Sequence, residues 1–225
     1  MKKDIEINVP NDWSAVTLKQ YLKMDRDLEV YGSEENGKTA VLLHHLCQVE
    51  PSLIPKLPSD ILFQIKEDLA GFMGQTEFDL KRIINVGGKE YGFIPNLSKM
   101  EYGAYLDITR YETITIDKNW SKIVSILYRP ITSKRGKFYE IEGYNPETID
   151  EKIFEDISMD VHFGAYFFFL HTLTDLVNDI LNSLKEEELP LNIRQTLEKN
   201  GEVIKQLFSY RGMTSPNSLL SLRNR

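Results

Sequence analysis

The sequence predicts an α+β fold that is mostly helical and carries a small antiparallel sheet built from hairpins. Three observations lead to this prediction. Apolar residues recur at helical spacing over most of the chain, short alternating segments flank a pair of glycines, and strands do not alternate regularly with helices as in parallel α/β folds. With 225 residues, of which 41% are hydrophobic, the chain can bury one large core or two small ones.

Residues 1–76 are predicted to form a first repeat unit with one strand and three helices. Alternation of apolar and polar residues indicates the strand, which Pro10 ends because it has no N–H to donate to a ladder. Thr17 and Ser59 are expected to cap the first and third helices. In chain order, the predicted elements are a strand over residues 4–9 and helices over residues 18–31, 39–48 and 60–72.

Residues 77–189 are predicted to form a second repeat unit. Gly87-Gly88 indicates a two-residue hairpin turn, and Ser98 with Glu101 indicates a capping box at the start of a helix. That helix carries three large side chains on one side: Tyr102, Tyr105 and Leu106. The other predicted elements are strands over residues 78–86 and 89–94, helices over 119–128 and 158–187, and an inserted hairpin over about 129–142.

Landmarks recur in the same order in the two units, which predicts a degenerate duplication of a strand-helix-helix-helix unit. The alternative is a coincidence between common helix-start signals. The matched landmarks are Pro10 with Pro95, Tyr21-Leu22 with Tyr105-Leu106, residues 39–48 with 119–128, and Asp60 with Asp160.

Residues 190–225 are predicted to form one more helix, over 191–210, followed by a docking tail. The sequence has no acidic residue after Glu202 but has four cations there, so its charge opposes that of the rest of the chain. Such a tail is expected to dock on an acidic neighbour or on another copy of the chain, and the alternative is a solvated tail. Its candidate interface residues are Leu219, Leu220, Leu222 and Arg223.

Two further groups are candidate interface residues. The first is a basic turn with Lys134, Arg135 and Lys137, whose alternative interpretation is a solvated hairpin tip. The second is an aromatic cluster that exceeds what one helix face can bury, and aromatic residues concentrate at subunit interfaces. Packing in the core is the alternative for this cluster, which consists of Phe163, Tyr166, Phe167, Phe168 and Phe169.

Residues 32–39 match the phosphate-binding loop pattern G-x-x-x-x-G-K-[ST] through Gly32, Gly37, Lys38 and Thr39. Three features argue against a nucleotide site. A helix is predicted where the motif requires a preceding strand, two glutamates would repel a polyphosphate, and no later strand ends in an aspartate suited to Mg²⁺. A connecting loop is therefore the preferred interpretation, and an NTPase is the less favoured one.

Composition narrows the remaining function classes. A net charge of −7 disfavours nucleic-acid binding, and the single Cys47 has no partner for an internal disulfide. The most apolar stretch, 163–170, is too short to span a bilayer. The adjacent His44 and His45 point to different faces of a helix. His162 and His171 lie nine residues apart without a third ligand at a standard spacing, so no metal site is expected. We expect no cofactor, no catalytic residue and no membrane contact, and synthesis in the cytoplasm.

Four motifs together are similar to one protein family. They are Tyr91–Leu97, Glu101–Asp107, Ile126–Ile131 and Met159–Ala165. In combination they resemble a group of small proteins encoded among the virion genes of tailed bacteriophages, including the crAss-like phages of gut Bacteroidales. The resemblance covers residues of about 80–180 well and the first repeat unit loosely.

This resemblance implies a structural or assembly part of the virion rather than an enzyme, and it brings no catalytic residues to carry over. We therefore expect a non-enzymatic component of the tail, the neck ring or the packaged cargo, made in the host cytoplasm. It would act by self-association as a homo-oligomer or by docking on larger virion proteins. A tail-assembly chaperone is the alternative within the same biology.

Overall fold

The computed structural model describes residues 7–32, 34–111 and 114–183, except the side chains of Ser98 and of residues 173–183. Within these residues the fold is α+β, with six α-helices and one four-stranded antiparallel sheet. The predicted fold class, mostly helical with antiparallel hairpins, is confirmed.

The chain divides into two compact units. Unit 1 contains the described residues up to Glu77 together with Lys152–His162, and unit 2 contains Phe78–Glu151 and the described residues from Phe163 onward. The segment 152–162, which lies in the second predicted repeat, therefore packs with unit 1.

Unit 1 contains three helices: α1 (Leu18–Tyr31), α2 (Glu35–Cys47) and α3 (Ser59–Met73). The side-chain oxygen of Thr17 accepts a hydrogen bond from the N–H of Gln20, which confirms the predicted cap of α1. The ring of Trp13 lies 5.9 Å from that of Tyr21 and 4.4 Å from that of Phe72, measured between ring centroids. These aromatic contacts connect the chain before α1 to α1 and α3.

Backbone hydrogen bonds join the segment 152–162 to the rest of unit 1, and a side-chain contact connects two residues within the segment. The N–H of Met159 donates to Val16 O at 2.7 Å, and the N–H of Leu18 donates to Ile157 O at 3.0 Å. His162 is fully buried, and its Nε2 lies 3.0 Å from Phe154 O. Burial lowers the pKa of His162 to about 4, so the imidazole is neutral at pH 7.

One sequence prediction for unit 1, the cap at Ser59, is wrong, and another, the first strand, fails over the residues that the structure describes. Residues 7–9 form no strand, and residues 4–6 of that predicted strand lie outside the described part. Alternation makes a strand only where a second strand supplies the ladder. Ser59 is the first residue of α3 rather than its cap, because Pro58 holds the extended cap position with φ −57° and ψ 142° and offers no side-chain hydrogen bond.

The sheet of unit 2 contains β1 (Ile83–Val86), β2 (Lys89–Phe93), β3 (Tyr128–Arg135) and β4 (Phe138–Ile141), in that order. Gly87 and Gly88 have φ values of 58° and 85°. Positive φ at both central residues is the geometry of a hairpin turn whose twist matches the strands. The predicted turn at the two glycines is therefore confirmed.

β1 is shorter than the predicted strand over 78–86 because the start of that segment packs on a helix. The Phe78 ring lies 4.9 Å from that of Phe163 and 5.9 Å from that of Phe167. The predicted hairpin over about 129–142 is present as β3 and β4. It also extends the sheet, since Phe93 of β2 pairs with Tyr128 of β3.

Unit 2 also contains α4 (Tyr102–Thr109), α5 (Trp120–Leu127) and most of α6 (Met159–Ser183). The predicted apolar stripe of α5 is buried and consists of Trp120, Ile123, Val124 and Leu127. The last residues of the predicted α6 helix, 184–187, and the whole predicted helix over 191–210 lie outside the described residues. Among the described helices, none combines the length and the apolar character needed to cross a membrane.

The predicted capping box at Ser98 and Glu101 is wrong. Leu97–Lys99 forms a short 3-10 helix, and Glu101 itself is the cap residue of α4 without a side-chain capping bond. The Glu101 carboxylate instead accepts two hydrogen bonds from the guanidinium of Arg129, at 3.0 and 2.8 Å. A bidentate, charge-assisted pair is stronger than a bond to one backbone N–H.

The two segments of the predicted duplication differ in the strand before the matched proline. β2 ends just before Ile94-Pro95, whereas residues 7–9, before Pro10, form no strand. A common origin of the two segments stays a prediction.

Candidate interaction surface

The segment that matches the phosphate-loop pattern is a junction between two helices. Gly32 ends α1 with φ 52°, and Gly37, Lys38 and Thr39 lie within α2, which begins four residues earlier than predicted. A Cβ atom on Gly37 would lie 2.1 Å from Cδ1 of Tyr31. The glycine is therefore explained by close packing of the Tyr31 ring.

The polar groups that a phosphate would require are engaged in helix α2. The N–H of Lys38 donates to Glu34 O at 3.2 Å, and Thr39 Oγ1 donates to Glu35 O at 2.9 Å. In a phosphate loop these groups contact the ligand and Mg²⁺. The preceding element is α1, a helix, where the motif requires a strand.

We expect this segment to bind no nucleotide. Titration calorimetry of ATP and of GTP, each with Mg²⁺, should give no saturable heat with the wild-type chain or with Lys38→Ala. The reasons are the engaged backbone groups and the two glutamates that precede Gly37. Micromolar binding that disappears in Lys38→Ala would contradict this prediction.

The adjacent histidines of α2 have separate partners. His44 Nδ1 lies 3.0 Å from Val49 O, and His45 Nε2 lies 2.7 Å from Asp27 Oδ2. Cys47 is buried, and burial raises the pKa of its thiol to about 11. The thiolate required of a nucleophile is therefore scarce at neutral pH.

Most of the aromatic cluster of α6 is buried, which corrects its interpretation as an exposed interface. Phe163, Tyr166 and Phe169 are at most 5% exposed, and Phe167 and Phe168 are half-buried. The side chains contact other rings and backbone groups of unit 2. The Tyr166 ring lies 5.1 Å from that of Trp120, and its hydroxyl donates to Ile114 O at 3.1 Å. The cluster therefore belongs to the packed interior.

The basic turn between β3 and β4 is exposed. We call residues 134–138 the hairpin tip. The turn consists of Gly136, at φ 60°, and Lys137, and Lys134 and Arg135 precede it at the end of β3. Lys134 Nζ lies 2.7 Å from Glu90 Oε1, and both side chains of that pair are more than 40% exposed. Phe138 ends the tip and is 83% exposed.

A second exposed apolar surface, which the sequence did not indicate, lies on α4. Tyr102, Tyr105 and Leu106, here called the α4 face, are 73%, 53% and 42% exposed, while α4 buries only Ala104 and Ile108. The two tyrosine rings are stacked, with their centroids 6.4 Å apart. The sequence placed these residues on one side of the helix but did not show that this side is the uncovered one.

The segment 142–151, here called the acidic loop, is attached to α4. The N–H of Tyr144 donates to Glu101 Oε1 at 3.1 Å, and its hydroxyl donates to Asp107. A Cβ atom on Gly103 would lie 3.1 Å from the Tyr144 ring, so the ring packs on the helix backbone. The loop has no lysine or arginine and carries four acids: Glu142, Glu147, Asp150 and Glu151.

The remaining candidate interface residues, Leu219, Leu220, Leu222 and Arg223, lie outside the described residues.

No protein-family model, no curated protein and no solved structure matches the chain.

Proposed function

We propose that this chain is a non-enzymatic structural or assembly protein of a tailed-phage virion. It acts by self-association or by docking on larger virion proteins, and its site of action is the virion, after synthesis in the host cytoplasm. The observation that carries the proposal is the exposed α4 face, with two tyrosines that are 73% and 53% exposed.

The helix that carries the two tyrosines is held in place at its start, which suits a docking surface. Arg129 is 6% exposed and binds Glu101, the residue just before α4. Tyr144 fixes the acidic loop on the same helix. A surface that is already ordered loses less conformational entropy when it binds a partner.

Tyrosine is also a residue type that is enriched at protein–protein interfaces, because its ring offers a large apolar area and its hydroxyl tolerates water. Two adjacent exposed rings therefore suit a partner protein better than they suit solvent. The resemblance of four motifs to phage virion-gene products supports a virion as the setting.

The test is quantitative mass spectrometry on purified particles of the phage that encodes this chain. We expect a constant ratio of the chain to the major capsid protein across independent preparations, since a built-in component has a fixed copy number. If the chain is present in infected cells but absent from purified particles, a structural role is contradicted and an assembly chaperone is favoured.

A further inference from the structure

We propose that the hairpin tip of one copy docks on the α4 face and the acidic loop of a second copy. This contact rests on the self-association proposed above and names the two surfaces that meet. All the residues that carry it belong to unit 2.

The two surfaces have opposite charge. The hairpin tip contains three cations and no acid, and the acidic loop contains four acids and no cation. Opposite potentials attract the two copies and orient them as they approach. The ion pair between Lys134 and Glu90 does not prevent this, since exposed pairs are weak and exchange easily with a new partner.

The two surfaces also match in their apolar groups. Phe138 is 83% exposed on the tip, and Tyr102 and Tyr105 are exposed on the α4 face. Phenylalanine packs favourably against the face or edge of tyrosine rings. Arg135, which pairs with Phe138 in the hairpin register, can lie over such a ring in a cation–π contact.

The hairpin geometry places the tip away from its own acidic loop. Arg135 pairs with Phe138 at the tip, whereas Ile131 pairs with Ile141 at the other end of β4. Glu142, the first residue of the acidic loop, donates its N–H to Pro130 O at 2.9 Å at that same end. β4 separates the tip from Glu142 by roughly 13 Å at about 3.3 Å per residue, so the tip lies apart from the start of its own acidic loop, and we assign the contact to a second copy.

Such a contact joins two different surfaces, so a pair of copies keeps one free face on the copy that gave its tip and one free tip on the other. Head-to-tail contacts of this kind produce rings when the rotation closes and filaments when it does not. The assembly is therefore heterologous rather than two-fold symmetric.

The test uses two complementary variants of the full chain, studied by sedimentation velocity over a range of concentrations. The tip variant is Phe138→Ser with Arg135→Glu, and the face variant is Tyr105→Ser with Glu147→Lys. The matched control is Phe63→Ser in unit 1, which removes a phenylalanine that is 68% exposed. All four substituted contact side chains are exposed. Thermal unfolding checks that each variant folds.

We expect the wild-type chain and Phe63→Ser to form higher oligomers with rising concentration, and each contact variant alone to associate at least about tenfold more weakly. An equimolar mixture of the two contact variants should form 1:1 dimers and no larger species. The reason is that each pair then retains one intact tip and one intact face. Raised salt should weaken the wild-type association.

Three results would overturn the inference: wild-type chains that stay monomeric at all concentrations, contact variants that assemble like the wild type, or a mixture that stays monomeric. These three results do not bear on whether the chain is present in purified particles. The proposed structural role fails on a separate observation, the absence of the chain from those particles. Assembly of the contact variants that is abolished by deletion of residues 212–225 would assign the contact to that segment instead.

Discussion

Replacing Glu101 by alanine is expected to lower the free energy of unfolding by about 3 kcal/mol, the lower end of the range for breaking a buried ion pair. The substitution leaves the guanidinium of Arg129, which is 6% exposed, without its counter-charge. Nε of Arg129 is buried and has no hydrogen-bond partner among the described residues, so it does not offset the loss of the carboxylate. The lower end applies because the Glu101 side chain is 46% exposed and water reaches it. Urea unfolding of the monomeric chain measures the loss.

Glu90→Ala is the matched control, because it also removes the carboxylate of an ion pair, that with Lys134 at 2.7 Å. Both side chains of the Glu90–Lys134 pair are exposed, so we expect the free energy of unfolding to fall by less than about 1 kcal/mol. A second variant, Glu101→Leu with Arg129→Met, removes both charges and should recover part of the loss. If Glu101→Ala and Glu90→Ala lower the free energy of unfolding equally, the burial of Arg129 does not strengthen its ion pair.

The ion pair between Glu101 and Arg129 also predicts that the stability of the fold depends on pH. Hydrogen bonds from Arg129, opposed in part by desolvation, lower the pKa of Glu101 to about 2 from its ordinary value of 4.5. The folded chain therefore holds this proton less tightly than the unfolded chain. The stabilisation of the fold by the Glu101 carboxylate is complete above pH 4.5 and is lost as the pH falls towards 2. Glu101→Gln should reduce the slope of stability against pH within that range.

Gly164→Ala and Gly71→Ala are expected to change stability in opposite directions, although both place alanine inside a helix. A Cβ atom on Gly164 would lie 2.3 Å from Asp79 O and 2.9 Å from Asp79 C, which are backbone atoms and cannot rotate away. Overpacking of this kind costs about 1–3 kcal/mol. A Cβ atom on Gly71 of α3 would have no atom within 4 Å. That substitution should stabilise the chain by about 0.5–1 kcal/mol, because alanine favours the helix.

Thermal and urea unfolding of the two variants measure the difference. A Gly164→Ala chain as stable as the wild type would show that α6 does not lie against the Asp79 backbone at this distance. Gly164→Ser, with a side chain of similar size, should repeat the loss.

The features that sequence predicted correctly depend on nearby residues. The Gly87-Gly88 turn follows from the freedom of glycine to adopt positive φ. The Thr17 cap follows from a hydroxyl that reaches the N–H of Gln20 three residues on. The stripe of α5 follows from its spacing alone, and its residues are buried. In each case the interaction is complete within a few residues, so the local sequence contains its cause.

Contacts between distant residues decided the rest. The spacing of Tyr102 and Tyr105 shows that they share a side of α4, but whether another element covers that side depends on the fold, and none of the described residues buries them. Glu101 is a typical capping-box residue until Arg129, 28 positions away, provides a stronger partner. The sequence by itself predicted the six described helices, the two hairpins and the fold class, because local geometry and periodicity are encoded locally. Only the tertiary structure decided which apolar groups are interior, as in α6, and which are exposed, as on α4, because burial depends on what packs against each face.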